Sequence, residues 1–148
     1  MPIAPCDKHG LLPEGVHDCN LAEIKARFGS FHRSDRRPQL FARLESFLDE
    51  AKASPMVRSL LVDGSFVTTK SDPNDIDLIV VVTSDHDFSA DLSPADYNVV
   101  SKQRVRRRYG FDLLVAREGS VEYRRWVDFF QQVRLEPDRR KGILRLTL

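Results

Sequence analysis

Two acidic side chains, Asp75 and Asp77, stand one residue apart at the start of an apolar run that we predict to be a strand from Asp75 to Thr83. Side chains on a strand alternate between its faces, so both carboxylates would point the same way, with about 7 Å between their backbones. Charged groups beside buried aliphatic side chains are costly unless an opposite charge accompanies them. The pair therefore predicts a cation site, and carboxylate oxygens favour Mg²⁺ or Mn²⁺.

A third carboxylate, Asp112, is the lone acid in the next predicted strand, Phe111 to Ala116. If that strand pairs beside the one that begins at Asp75, Asp112 lies across from the acid pair. Three carboxylates around two metal ions would clamp an in-line phosphoryl or nucleotidyl displacement. Asp112 would act there as a ligand or as the general base for an attacking hydroxyl.

A Gly-Ser turn, Gly64-Ser65, follows the first predicted strand, Met56 to Asp63. Such a turn exposes backbone N–H groups, and glycine permits close approach of a phosphate. The loop 64–74 also carries Thr69 and Lys70, which we expect to reach a γ-phosphate. Asp63, next to the turn, is interpreted as a structural acid.

The spacing G-S-x9-D-x-D, followed by a lone acid on a later strand, resembles the polymerase β-type nucleotidyltransferase superfamily, in particular its minimal members. The residues that match this pattern position by position are Gly64, Ser65, Asp75, Asp77 and Asp112. The segments LLPEGVHDC, DGSFVTTK-x4-DID and KGILRL also resemble a small, largely uncharacterised bacterial family of nucleotidyltransferase-like proteins. In one departure, Phe66-Val67 stands where small or basic residues are frequent, so a regular helix is not expected to begin at Ser65.

The resemblance implies an enzyme that transfers NMP, most simply AMP from ATP, to a hydroxyl and releases pyrophosphate, with Mg²⁺ or Mn²⁺ as cofactor. The acceptor stays open between a protein, an RNA end and a small molecule. Minimal members of the superfamily often act as antitoxins that adenylylate a partner toxin, so a cognate toxin is one protein acceptor that the resemblance suggests.

Two other functions compete with this one. The first is a catalytically inactive nucleotide-sensing or partner-binding protein on the same fold, against which the three retained acids argue. The second is a nucleic-acid binder that uses the basic run Lys102 to Arg108. The net charge of +1 supplies no overall field for DNA, which argues against this function. The run itself is either a solvated helix face or a contact surface for a nucleotide, RNA or a protein.

Apolar periodicity and capping residues place further elements around these residues. Helices are predicted from about Leu21 to Phe28, Ser34 to Ala53, Ser93 to Arg108 and Val121 to Val133, and a terminal strand from Ile143 to Leu148 that pairs at the sheet edge. In the last helix, Trp126 and its aromatic neighbours are expected in the core. The alternation predicts an α/β (α+β) fold with a small mixed sheet flanked by helices, nucleotidyltransferase-like by the resemblance.

Length and composition predict a single domain over residues 1–148 with an extended N-terminal arm over residues 1–19. The N-terminus lacks the pattern of a signal peptide, and no apolar run approaches the 18 or so residues of a membrane helix, so a cytoplasmic protein without a membrane partner is expected. Cys6 and Cys19 fit reduced thiols. With His9 and His17 they form C-x2-H-x7-H-x-C, which matches no standard zinc pattern.

Overall fold

A computed structural model describes residues 3–148 and shows a mixed α+β fold, as the sequence predicts. The strands are Gly15–Cys19 (β1), Val57–Asp63 (β2), Asp77–Val82 (β3), Asp112–Arg117 (β4), Gln132–Val133 (β5), Glu136–Arg140 (β6) and Gly142–Thr147 (β7). The helices are Leu21–Arg27 (α1), Arg36–Lys52 (α2), Pro94–Val100 (α3), Lys102–Tyr109 (α4) and Val121–Phe130 (α5), with a single 3-10 turn at Ser65–Val67.

The main sheet has five strands in the order β1-β7-β2-β3-β4. The pairs β1–β7 and β3–β4 are parallel, and β2 runs antiparallel to both β7 and β3. Alternate residues of the central strands enter two hydrophobic clusters, since Val62 and Val80 pack with helices α1 to α4, whereas Leu61 and Ile79 pack with α5. Both faces of the sheet are therefore covered, which explains why β2 and β3 read as continuous apolar runs.

The N-terminal arm and the terminal strand differ from the prediction. Part of the arm is strand β1, which pairs with β7 from Gly15↔Gly142 to Cys19↔Leu146. As a result β7 lies inside the sheet, between β1 and β2, rather than at its edge. Residues 1 and 2 of the predicted arm lie outside the described residues.

The predicted helix from Ser93 to Arg108 is two helices. Ser101 has an extended backbone, with ψ of 115°, and its Oγ accepts a hydrogen bond from the Arg104 N–H at 3.3 Å. It therefore ends α3 and caps the start of α4. A serine inside an apolar period of 3.6 residues does not by itself reveal such a break.

The predicted helix Val121 to Val133 ends earlier, at Phe130. The residues that follow form a hairpin, β5–β6, which the sequence prediction missed because EPDRR carries Pro137 and no β-branched or aromatic side chain. Two other elements start two residues later than predicted: α2 begins at Arg36 instead of Ser34, and β3 begins at Asp77 instead of Asp75. Among the described residues, none of the helices is long and apolar enough to cross a membrane.

Candidate active site

Three carboxylates form a row across neighbouring strands. Asp63 ends β2, Asp77 begins β3 and Asp112 begins β4, and the strand register pairs Asp63 with Asp77 and Asp77 with Asp112. Paired residues project to the same face of a sheet, with strands about 4.8 Å apart. The predicted placement of Asp112 across from Asp77 is therefore found, and Asp63, interpreted from sequence as structural, belongs to the same row.

The acids in this row are increasingly exposed toward β4. Asp63 is 5% exposed, Asp77 is half-buried and Asp112 is exposed. Burial raises the pKa of Asp77 to about 6, and the negative charges of Asp75, Asp63 and Asp112 add to this effect. Burial likewise raises the pKa of Asp63. The row carries more negative charge than the protein neutralises, which is the electrostatic condition for binding a cation.

One lysine enters the row from the next strand. Lys141 directly precedes β7, and its Nζ lies 3.0 Å from Asp63 Oδ1, with only 17% of the lysine side chain exposed. Its charge opposes the rise in the pKa of both Asp63 and Asp77. Lys141 thus balances the negative charge of Asp63, the most buried acid. Asp77 is left as the acid of the row whose negative charge is least balanced.

Asp75 lies outside the strand on which it was predicted, because β3 begins at Asp77. Its Oδ1 accepts hydrogen bonds from the Ser65 backbone N–H, at 2.9 Å, and from the Ser65 hydroxyl. The Ser65 Oγ in turn accepts from the Asn74 and Asp75 N–H groups at 2.9 and 3.2 Å. The Gly-Ser turn is therefore tied to the loop that carries Asp75, and the Ser65 hydroxyl is already used within the protein.

Gly64 has a backbone that only glycine adopts readily, with φ of 97° and ψ of 179°. A Cβ at this position would lie 2.7 Å from the Asp75 carbonyl oxygen and 3.1 Å from the Asp77 nitrogen. The close approach that Gly64 permits in this structure is that of the Asp75–Asp77 backbone, and its approach to a phosphate stays a prediction. This packing brings the acids against the turn.

The loop after the turn is anchored by a buried arginine. Arg37, 5% exposed, donates from Nη1 to the Phe66 carbonyl at 2.8 Å and from Nη2 to the Thr68 and Lys70 carbonyls at 2.6 Å. Thr69 donates its N–H to Gly10 and lines a different cleft from Asp77. The structure therefore does not bring Thr69 to the acids, and it leaves the Lys70 side chain exposed.

The exposed acid of the row, Asp112, forms an ion pair with Arg106 of α4. Arg108 of the same basic run pairs with Glu50 at 2.7 Å, and Arg104 bonds to Asn98 at 2.6 Å. Much of the run Lys102 to Arg108 therefore contacts the protein itself.

A cleft of about 720 Å³ opens beside the row. We call it the hairpin cleft, because α5 and the hairpin β5–β6 form its walls; it is lined by Asp63, Asp77, Lys141, Phe129, Phe130, Gln132, Val133, Arg134, Leu135, Pro137 and Arg140. Phe129 was expected in the core with Trp126. Its ring is instead 55% exposed, whereas Trp126 packs partly buried against the core.

Residues 4–147 match the family of unknown function DUF6932. The chain belongs to this family. Neither the search of curated proteins nor the search of solved structures finds a match. The match covers the acid row, the Gly-Ser turn and the hairpin cleft of this DUF6932 chain, but it carries no activity, so a function has to be argued from the residues themselves.

The residues fit a divalent cation only in part as they stand. Within residues 3–148 no three His, Cys, Asp or Glu side chains are grouped so that they could hold a metal ion, and this includes the four cysteine and histidine residues of the arm. The donor chemistry nevertheless fits, because carboxylate oxygens are ligands for Mg²⁺ and the negative charges of Asp75 and Asp112 both act on Asp77. Metal binding would require Asp112 to turn from Arg106 and Asp75 to share its oxygens with a cation.

Two residues of this site escaped the sequence prediction. Asp63 carried the same signal as Asp112, a lone acid at the end of an apolar strand, but its position beside Gly64 suggested a turn residue. Lys141 precedes an apolar strand and follows two arginines, so that nothing distinguished it within a basic cluster. Only the pairing of β7 with β2 brings it to Asp63.

Proposed function

We propose that this protein is a metal-dependent nucleotidyltransferase that transfers NMP, most simply AMP from ATP, to an acceptor hydroxyl. The observation that carries the proposal is the row Asp63–Asp77–Asp112 beside the Gly64-Ser65 turn, with the pKa of Asp77 raised to about 6 by burial and by its acidic neighbours. An acid whose pKa is raised by burial and by neighbouring acids beside a cleft, as that of Asp77 is, is more typical of a functional site than of a structural one.

In the proposed reaction, one bond to the α-phosphorus of the nucleotide forms and another breaks. The acceptor oxygen forms a bond to the α-phosphorus, the bond from that phosphorus to the bridging oxygen breaks, and pyrophosphate leaves with the electron pair. Asp77, with Asp75 or Asp112, would hold Mg²⁺ or Mn²⁺, which when bound supplies positive charge against the phosphate oxygens. Asp112, the exposed acid, is the carboxylate suited to receive the proton of the attacking hydroxyl.

The acceptor in this proposal is a protein, an RNA end or a small molecule, and a cognate toxin is the protein acceptor to test first. The proposal also includes a cytoplasmic location, where nucleoside triphosphates are supplied. The unpaired thiols of Cys6 and Cys19 are in keeping with that location.

One observation favours a second function, a nucleotide-sensing or partner-binding protein without turnover. Asp75 and Asp112 both have partners within the protein, Ser65 and Arg106, so the acids are not grouped for a metal ion as they stand. A sensor would bind a nucleotide and transfer nothing.

The deciding experiment incubates the protein with ATP labelled at the α-phosphate and Mg²⁺ or Mn²⁺, alone, with RNA, and with the product of a neighbouring gene. We expect labelled acceptor and pyrophosphate in equal amounts, lost in Asp77→Asn. The matched control is Asp85→Asn, because Asp85 is an exposed acid beyond the opposite end of β3. Transfer that persists in Asp77→Asn would contradict the assignment of the site, whereas ATP binding without transfer to any acceptor would favour the sensor.

A further inference from the structure

The hairpin cleft is lined by acidic, basic and apolar side chains. At its inner end lie Asp63 and Asp77 with Lys141, and farther out lie the Phe129 ring and Leu135 of the hairpin turn. Its volume of about 720 Å³ falls within the range of pockets that hold small molecules. A ligand that matches these surfaces carries a metal-binding anionic part at one end and a flat apolar part at the other.

The apolar side chains of the cleft, Phe129 and Leu135, are exposed to solvent, although folding favours the burial of such side chains. Phe129, with 55% of its surface exposed, sits edge-on to Trp126 at 6.2 Å between ring centroids, so its ring is supported from behind. Leu135 is 93% exposed and has a φ of 65°, which is unfavourable for a leucine. An exposed aliphatic residue in a strained turn at the rim of a cleft points to a ligand contact.

The hairpin wall is held in place before any ligand arrives. Arg140 of β6 forms ion pairs with Asp128 of α5, at 2.8 Å, and with Glu14 of the arm, at 2.7 Å. Lys141 donates its N–H to the Gln131 carbonyl at 2.9 Å. These contacts join both walls of the cleft at its base, and such preorganisation lowers the entropic cost of binding.

The hairpin turn also offers a cation. Arg134, next to Leu135, is exposed and forms no ion pair with any other residue of the range 3–148. Together with Lys141 it places positive charge at both ends of the cleft. An anion bound beside Asp77 would need a divalent cation as well, because Lys141 already compensates Asp63, whereas Arg134 offers positive charge at the far end of the cleft.

We propose that the hairpin cleft is the nucleoside pocket of this protein, with the nucleobase stacked on Phe129 and covered by Leu135, and with the phosphates directed toward Lys141 and the acid row. This inference rests on the proposed function for the class of ligand. It adds the location of the base, which comes from α5 and the hairpin rather than from a separate domain. Stacking on an aromatic ring is tolerant of base identity, so the pocket would accept several nucleotides.

The test compares two probes, ATP and inorganic tripolyphosphate, each with Mg²⁺, by calorimetry. In Phe129→Leu we expect about tenfold weaker binding of ATP and unchanged binding of tripolyphosphate, because only ATP carries a base. Phe129→Tyr, which keeps the ring, should bind ATP as the wild type does. The matched control is Phe88→Leu, since Phe88 is equally exposed, at 52%, but lines a different cleft.

The inference would be overturned by a wild type that does not bind ATP, by a Phe129→Leu variant that binds ATP normally, or by one that loses both probes equally. A wild-type dimer that Phe129→Leu dissociates without a change in ATP affinity would also overturn it, since the ring would then be a subunit contact. Failure of the proposed function would give a different result from failure of this inference. ATP binding would depend on Phe129 as expected, yet no acceptor would be labelled.

Discussion

Lys141 forms an ion pair with Asp63, its Nζ 3.0 Å from Asp63 Oδ1, and both side chains are largely withdrawn from water. The pair joins the start of β7 to the end of β2, directly beside the row of acids that includes Asp77. It connects the stability of the sheet to the electrostatics of the candidate site.

Replacing Lys141 by Met should lower the free energy of unfolding by about 3 kcal/mol, because Asp63 would remain buried without its partner. In denaturant unfolding, the double variant Asp63→Leu/Lys141→Met should recover most of that loss, since two apolar side chains need no compensation. The control is Arg139→Met, which removes the more exposed pair with Glu136 and should cost less than about 1 kcal/mol. Equal losses in the single and double variants would contradict this account of the pair.

Asp77 should make the protein less stable as pH rises. Its pKa is raised to about 6 from an ordinary 3.8, so the folded state holds the proton more tightly than the unfolded state. The stability that protonation provides is present below about pH 4 and is lost as pH rises to about 6. Because the side chain is only half-buried, solvent screening reduces the expected difference to about 1 kcal/mol.

The measurement is unfolding of wild type and Asp77→Asn at pH 4 and pH 7.5 without divalent ions. We expect the variant to be the more stable protein at pH 7.5, by about 1 kcal/mol, and to gain little at pH 4. A variant that is less stable than the wild type at pH 7.5 would show that Asp77 is well compensated in the folded protein.

A divalent cation should make the wild type more stable than Asp77→Asn, which reverses the order of stability expected without divalent ions. With a dissociation constant of about 1 mM, 10 mM Mg²⁺ would stabilise the wild type by about 1.4 kcal/mol, which raises the melting temperature by about 4 °C. The rise should shrink below pH 6, because protons compete for Asp77. Asp77→Asn should show no rise, and Asp85→Asn should show the full one. An equal rise in all three proteins would indicate a general salt effect.

The three strands that carry the acid row were predictable from the sequence for a plain reason. Each is an apolar run with a single acid at one end, Asp63, Asp77 or Asp112, and burial on both faces makes such runs continuous. The helix at Leu21 was equally readable, because Asn20 and Glu23 form the predicted capping box.

Other features depend on contacts between distant parts of the chain. Nothing local reveals that Asp75 would lie outside β3 and bond to Ser65, or that Lys141 would reach Asp63. The β5–β6 hairpin has few strand-forming side chains and is held instead by Arg140, through Asp128 and Glu14. The hairpin cleft, and with it the exposed ring of Phe129, therefore could not be predicted.

Arg37 should be essential to the loop that follows the Gly-Ser turn. Its guanidinium donates to four backbone carbonyls, those of Phe28, Phe66, Thr68 and Lys70, while it is buried. Lysine cannot reproduce a planar group that serves several acceptors at once. We expect Arg37→Lys and Arg37→Met both to lose about 2–4 kcal/mol in denaturant unfolding, through carbonyls left without donors. Full stability in Arg37→Lys would show that charge alone matters.

Gly64 combines backbone strain with a close contact, and Gly119 offers a comparison at which strain acts without the contact. Both have positive φ, 97° and 70°, but a Cβ at Gly64 would lie 2.7 Å from the Asp75 carbonyl oxygen, whereas one at Gly119 would meet nothing within 4 Å. Gly119→Ala should therefore cost about 1 kcal/mol, from strain alone. Gly64→Ala should cost about 3 kcal/mol or more in denaturant unfolding, because the Asp75–Asp77 backbone must also move. That movement would displace the acids, so Gly64→Ala should also abolish the Mg²⁺-dependent rise in melting temperature, while Gly119→Ala keeps it. Similar losses of stability in the two variants would show that the approach of Asp75 to Gly64 is not what holds the acids in place.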